Sequence, residues 1–156
     1  MFKIYYAGPL FNDAETDFNQ KLTFKLEKNG FEVFLPQRDG VESSKPAYAN
    51  LSKEEKRKIM FATDRDKILE ADIFLFILDG RVPDEGACVE LGIAYYQKFL
   101  SSKDKMIIGL QTDKRAAFMS AKLNPMIACA LDYVFHSRKD LFLFLEKLAS
   151  RIDCTT

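Results

Sequence analysis

The sequence predicts an α/β fold: one doubly wound domain over residues 1–156, with a five-stranded parallel sheet of order 2-1-3-4-5 and helices on both faces. Three observations carry this. Strand-like and helix-periodic segments alternate five times along 156 residues, the pattern of repeated βα units. The third strand segment, "DIFLFILD" at 72–79, is a near-continuous apolar run, as expected of a central strand covered on both faces. The length suits a single domain, which buries roughly two-thirds of its unfolded surface.

The elements follow in order. "KIYYAG" (3–8) is β-rich and stops at Gly-Pro, so it is a strand entering a loop. Residues 13–30 are helical: Phe18, Leu22 and Leu26 fall four apart on one face, and Gly30 sits where a helix ends. "FEVFLP" (31–36) is a second strand, closed by Pro36. "QRDGVESSKPAYAN" (37–50) is rich in turn formers and reads as a long loop, the kind that binds ligands or acts as a lid. Residues 51–71 form a helix leading into the central strand. A helix at 84–100, a strand "KMIIGL" at 105–110, a loop with a short helix over 111–128, a strand "DYVFH" at 132–136 and an amphipathic helix at 138–152 complete the chain. Right-handed crossovers give these units the flavodoxin-like order.

Composition excludes several classes. The 23 basic and 23 acidic residues balance to zero net charge, so no overall basic field attracts a nucleic acid polymer. The dense run "SKEEKRK" (52–58) mixes both signs and reads as a solvated helix face. Cys88, Cys129 and Cys154 are odd in number and lack CxxC spacing, which argues against a disulfide framework or a zinc site and for a reducing cytoplasm. The N-terminus has no apolar run of signal-peptide type, and no segment approaches the ~20 apolar residues of a membrane span. A single histidine, His136, leaves no multi-histidine metal site. No metal or cofactor is expected.

In a doubly wound sheet, ligands bind beyond the carboxyl ends of the strands, where the strand order reverses. That brings together the loops after strands one and three, "AGPLFN" (7–12) and "DGRVPDEGA" (79–87). Neither is a dinucleotide fingerprint, and the chain has no P-loop and no GxSxG elbow. What converges is acidic and aromatic. Asp84 is a candidate N-cap for the helix 84–100. Glu90 lies further in, with Gly86 and Ala94 four residues away on either side and Val89, Leu91 and Ile93 around it. A carboxylate among apolar groups is costly unless paired or protonated. Periodicity leaves two readings: a thin solvated stripe running on to Gln97, or a small pocket with an acid or nucleophile at its floor. Asp64 and Asp66 lie on the preceding helix; each, taken singly, reads first as a surface charge, with a partnership to Glu90 as the sharper alternative. Cys88, near a helix start, reads as a small core thiol rather than a nucleophile.

Three stretches in register resemble the nucleoside 2-deoxyribosyltransferase family: "KIYYAGPLF", "ATDRDKILEADIFLFILDG" and "PDEGACVELGIA". In the third, the family's pattern is Asp, Gly two later, Glu six later, then Gly and Ala; here these are Asp84, Gly86, Glu90, Gly92 and Ala94. The likeness runs through "LNPMI" at 123–127. It implies that Glu90 attacks C1′ of a 2′-deoxyribonucleoside, that Tyr5 orients Glu90, and that Asp64 and Asp84 handle the base and its proton. It implies that Gly8 and Phe11 support sugar and base, that Gln37 contacts the base, and that Asn124 and Met126 reach into a neighbouring subunit's site. The implied partners are small nucleosides and free nucleobases, and the implied assembly is a homodimer or higher homo-oligomer with shared active sites.

The same fold and glutamate also serve hydrolases of nucleoside 5′-monophosphates. Those need Ser, Arg and backbone N–H donors for phosphate. "AGPLFN" has no Ser or Arg, and Asp84 would repel a phosphate. Arg38 and Arg81 are the residues that would reverse this preference by folding into the site. A non-catalytic receiver-like module is a third reading, with Asp79 as the acceptor at the end of strand three, though strand one supplies no acidic partner.

Overall fold

The computed structural model describes residues 1–41, 45–101, 104–113 and 123–153. Five parallel strands form one sheet: β1 Lys3–Ala7, β2 Glu32–Phe34, β3 Ile73–Ile77, β4 Met106–Leu110 and β5 Tyr133–Phe135. Their order is β2-β1-β3-β4-β5, as expected from the alternation. The main helices are α1 Asp13–Lys28, α3 Lys53–Glu70, α4 Glu85–Ser101 and α6 Arg138–Asp153; two short ones, α2 Pro36–Asp39 and α5 Pro125–Ala128, lie in connections. The 37–50 stretch is therefore not simply loop. Pro36 starts α2, where its missing N–H costs nothing, and Pro46–Tyr48 form a 3-10 turn. Of the expected loop and short helix at 111–128, residues 114–122 lie outside the described residues, as does Cys154.

Side-chain alternation along the strands divides the core. Ile4, Tyr6, Ile73, Leu75, Ile77, Ile108 and Leu110 pack with Leu22 and Leu26 of α1 and Leu141 and Leu145 of α6. Tyr5, Ala7, Phe74, Phe76 and Ile107 pack on the other face with Ile68 of α3 and Ala87, Leu91 and Ala94 of α4. The period of two along β1 thus sends Tyr5 and Tyr6 to opposite helical layers. β3 is buried at every position, as its apolar run requires.

Local signals fix the helix ends. Ser52 and Glu55 form a reciprocal capping box at the start of α3. Asn12 caps α1 through Glu15 N–H. At the far end of α3, the buried Lys105 donates to the carbonyls of Ile68 (2.6 Å) and Ala71. A cation there satisfies carbonyls left over by the helix and meets the negative end of its dipole.

The edge strand β2 is closed off by α2. Arg38 Nη2 donates to the Val33 carbonyl at 2.9 Å, and Leu35 N–H donates to Asp39 Oδ2 at 2.8 Å. Arg38 is itself held by Glu27 and Asp39, each at 2.8 Å.

Candidate active site

A cavity of about 600 Å³ opens at the carboxyl ends of β1 and β3, between α3, the start of α4 and the loops after β1 and β2. Its walls include Gly8, Phe11, Gln37, Asp64, Asp84, Gly86 and Glu90. This volume lies within the range of sites for small organic ligands.

Three carboxylates, Asp64, Asp84 and Glu90, line the cavity, and one phenol, Tyr5, lies behind Glu90. Tyr5 is fully buried, with its ring stacked between Phe34 (centroids 5.6 Å apart) and Phe74 (5.7 Å). These are its register partners on β2 and β3, so the sheet itself holds the ring. Its hydroxyl donates to Glu90 Oε1 at 2.7 Å. Glu90 is half-buried on α4, one turn after the core residue Ala87. The stripe toward Gln97 is not a solvated one: the Gln97 amide is half-buried and donates to the Leu69 carbonyl.

Burial pushes the Glu90 carboxyl up to about 7; the negative charges of Asp64 and Asp84 act in the same direction, while the Tyr5 hydrogen bond opposes them. Burial also pushes Asp64 up to about 6. The Tyr5 hydroxyl is shifted upward by burial and then by Glu90 and Asp64, so it remains a donor at physiological pH. Asp84 caps α4, accepting from Ala87 N–H at 2.8 Å. Two carboxyls of similarly raised proton affinity, one of them with a fixed donor, can between them supply a nucleophile and a proton donor.

Gly8 lets the first loop approach β3. A Cβ at this position would lie 2.8 Å from Ile77 Cβ, too close for any other residue without displacement. Phe11 is 77% exposed at the cavity wall.

Gln37 lines the cavity, but its amide is engaged elsewhere. Its Oε1 accepts from Asn19 Nδ2 (2.9 Å) and its Nε2 donates to the Thr16 carbonyl (3.0 Å). Asn19 also binds the Pro9 carbonyl and the Tyr6 hydroxyl. This network ties both cavity loops to α1.

Asn124 and Met126 are not brought to this cavity. Asn124 Oδ1 accepts from Met126 N–H at 2.9 Å as the cap of α5, and Met126 is 82% exposed. Asp66 pairs with Arg65 on the surface. Cys88 is half-buried, and burial raises its thiol. Arg38 lies outside the cavity, in its ion pairs beside β2, and Arg81 is not on the cavity wall. Asp79 accepts from Thr112 N–H, Thr112 Oγ1 and Asp113 N–H, joining the ends of β3 and β4.

Among the wall residues that the sequence reading did not single out are Arg57, Met60 and Phe61 of α3. Arg57 sits within the run read as a solvated face. The signal was the spacing 57, 60/61, 64, 68, one helical stripe that ends on the core residue Ile68. Among the described residues, no group of three or more His, Cys, Asp or Glu could hold a metal ion. No helix among them is long and apolar enough to cross a membrane.

Comparison with known proteins gives the following. The model of the family described as nucleoside 2-deoxyribosyltransferase matches residues 4–139. A conserved protein from Enterococcus faecalis V583 is 26% identical, with a TM-score of 0.71 and coverage of 97% of this chain and 99% of that one. A 2-deoxyribosyltransferase from the psychrotolerant bacterium Bacillus psychrosaccharolyticus is 25% identical, with a TM-score of 0.71 and 89% of each chain covered. The Clostridium botulinum CMP N-glycosidase BcmB shares the fold at 19% identity, with a TM-score of 0.51 and coverage of 94% of this chain and 98% of that one. No curated protein matches the chain.

Proposed function

The chain belongs to the nucleoside 2-deoxyribosyltransferase family, and from that premise we propose that it moves 2-deoxyribose between nucleobases through a covalent intermediate on Glu90. The observation that carries this reading is the pairing of Glu90 with Tyr5 at the cavity floor, beside a carboxyl of raised proton affinity at Asp64.

Glu90, as carboxylate, attacks C1′ of a bound 2′-deoxynucleoside. The C1′–N bond breaks, its electron pair leaves with the base, and the Asp64 carboxylic acid protonates that base. Asp84 stands on the same wall and assists in holding the base. The transition state resembles an oxocarbenium ion, which the Glu90 charge stabilises. A second base then gives its proton to Asp64 and attacks C1′, releasing Glu90. Two inversions give net retention. Tyr5 keeps one Glu90 oxygen occupied, so the other faces the sugar.

Gly8 and Gly86 leave room for the sugar, and Phe11 offers a ring to the base. Gln37 serves the base site through the loop it anchors. Asn124 and Met126 are assigned to the site of a neighbouring copy in a homo-oligomer, since both lie away from their own cavity and Met126 is exposed. The biological setting that fits is nucleoside salvage in the cytoplasm.

Free nucleosides are favoured over 5′-monophosphates. Asp84 already occupies the N-terminus of α4, where a phosphate would otherwise find N–H donors, and Arg38 is held beside β2.

The test is incubation with 2′-deoxyinosine, with and without free adenine. Formation of 2′-deoxyadenosine supports transfer. Release of hypoxanthine alone makes the enzyme a hydrolase, and turnover of monophosphates only overturns the nucleoside preference. Unchanged turnover by Glu90→Ala removes the nucleophile assignment.

A further inference from the structure

The inner stripe of α3 has a chemical order. Asp64, whose charge acts on Glu90, is followed toward the start of the helix by Phe61, Met60 and the exposed Arg57, and all of them line the cavity. Seven residues separate Asp64 from Arg57, about 10 Å along the helix axis. Phe61 and Phe11 stay 56% and 77% exposed, so the cavity offers aromatic surface to a flat ring between its acidic floor and its cationic mouth.

The other side-chain donors on this wall are committed. Gln37 is held by Asn19 and Thr16, and Arg65 is paired with Asp66 at 2.7 Å. Arg57 has no hydrogen bond or ion pair among the described residues. A guanidinium only donates, so it discriminates among ligands by whether they present an acceptor to it.

We propose that Arg57 sets base preference, by donating to the exocyclic oxygen on the far edge of a 6-oxopurine or 4-oxopyrimidine and disfavouring bases that carry an amino group there. This rests on the deoxyribosyl-transfer reading, because Glu90 fixes where C1′ lies and hence which edge of the base faces Arg57. The fork of the guanidinium also matches the adjacent O6 and N7 acceptors of an oxopurine. An amino group at the same position turns a donor toward a donor. Arg57 thus acts on binding of the base rather than on the bond being broken.

The test compares kcat/KM for 2′-deoxyinosine and 2′-deoxyadenosine in the wild type, Arg57→Ala and Arg57→Lys. In Arg57→Ala the inosine-to-adenosine ratio is expected to fall at least about fivefold, chiefly through KM for deoxyinosine. Arg57→Lys, a single donor point, is expected to fall in between. Arg57 is exposed, so both variants are expected to fold, and circular dichroism checks this. Equal losses for both nucleosides, an unchanged ratio, or an effect confined to 5′-monophosphates would each overturn the assignment. Calorimetry with free hypoxanthine and free adenine tests it without turnover. Hypoxanthine binding that weakens in Arg57→Ala while adenine binding does not supports the assignment even where no deoxynucleoside is turned over, an outcome that would remove the transfer reading alone. Hypoxanthine binding indifferent to Arg57 removes the assignment.

Discussion

Tyr5 and Glu90, 85 residues apart in the chain, meet at 2.7 Å because β1 sends alternate side chains to the α4 layer and α4 turns Glu90 back toward the sheet. The phenol has no freedom to choose another partner, since Phe34 and Phe74 clamp its ring. Removing the hydroxyl alone therefore reads out the bond. Tyr5→Phe is expected to keep the stacking and to lower kcat/KM roughly tenfold or more, as a hydrogen bond to a charged group contributes about 1.5–3 kcal/mol. The bond holds the Glu90 proton affinity down, so its loss should also move the alkaline limb of the pH–rate profile, set by the higher of the two affinities, upward. An unmoved limb would detach Tyr5 from Glu90 function.

The pH–rate profile of the wild type is expected to be bell-shaped, peaking between about 6 and about 7. Activity requires Glu90 charged and Asp64 protonated, yet Asp64 is the stronger acid of the two. The productive form is then a minority at every pH, and the two limbs belong to the pair. Asp64→Asn should remove the alkaline limb and lower the rate on the order of a hundredfold or more. A profile that stays flat to pH 9 would exclude Asp64 as the proton donor.

Glu90 costs the fold stability, and the sign follows from linkage. Its carboxyl rises from 4.5 to about 7 on folding, so the folded chain binds the proton more tightly than the unfolded one. The stabilisation is complete below about 4.5 and is lost as pH rises through about 7. Glu90→Gln, which keeps an acceptor for Tyr5, is expected to be about 3 kcal/mol more stable than the wild type at pH 8. The gap should close at pH 4.5. Urea unfolding at the two values measures it, and a constant difference would refute the linkage.

Lys105→Met keeps the length of the side chain and removes the cation. The carbonyls of Ile68 and Ala71 then lose a donor inside the core. A loss of about 2–4 kcal/mol is expected in urea or thermal unfolding; Lys105 does not itself line the cavity, but the Ile68 carbonyl it holds belongs to a wall residue.

The fold was legible because its signals are periodic. The run 72–79 declared a strand buried on both faces, and Asp84, Gly86 and Glu90 lie on one helix with a readable start. Side-chain commitments were less legible, since they depend on partners from other elements. Gln37 gave no sign that Asn19 and Thr16 would take its amide. Arg57 looked like any member of a mixed charge run until the orientation of α3 turned one stripe inward. Lys105, at the start of a strand, carries no mark in sequence of the two carbonyls that α3 leaves within its reach.

The pairing of Arg38 and Asp39 with the backbone of Val33 and Leu35 reaches beyond tidying the end of a sheet. An uncovered edge strand recruits other strands, and here its polar groups are occupied by side chains. The segment that supplies them runs directly into Pro36, Gln37, Gly40 and Val41 of the cavity wall. Solubility and ligand choice are thereby written into the same few residues. Substitutions that reshape this wall to admit a new base also risk exposing an adhesive edge, which narrows the routes by which the chain could change its preference.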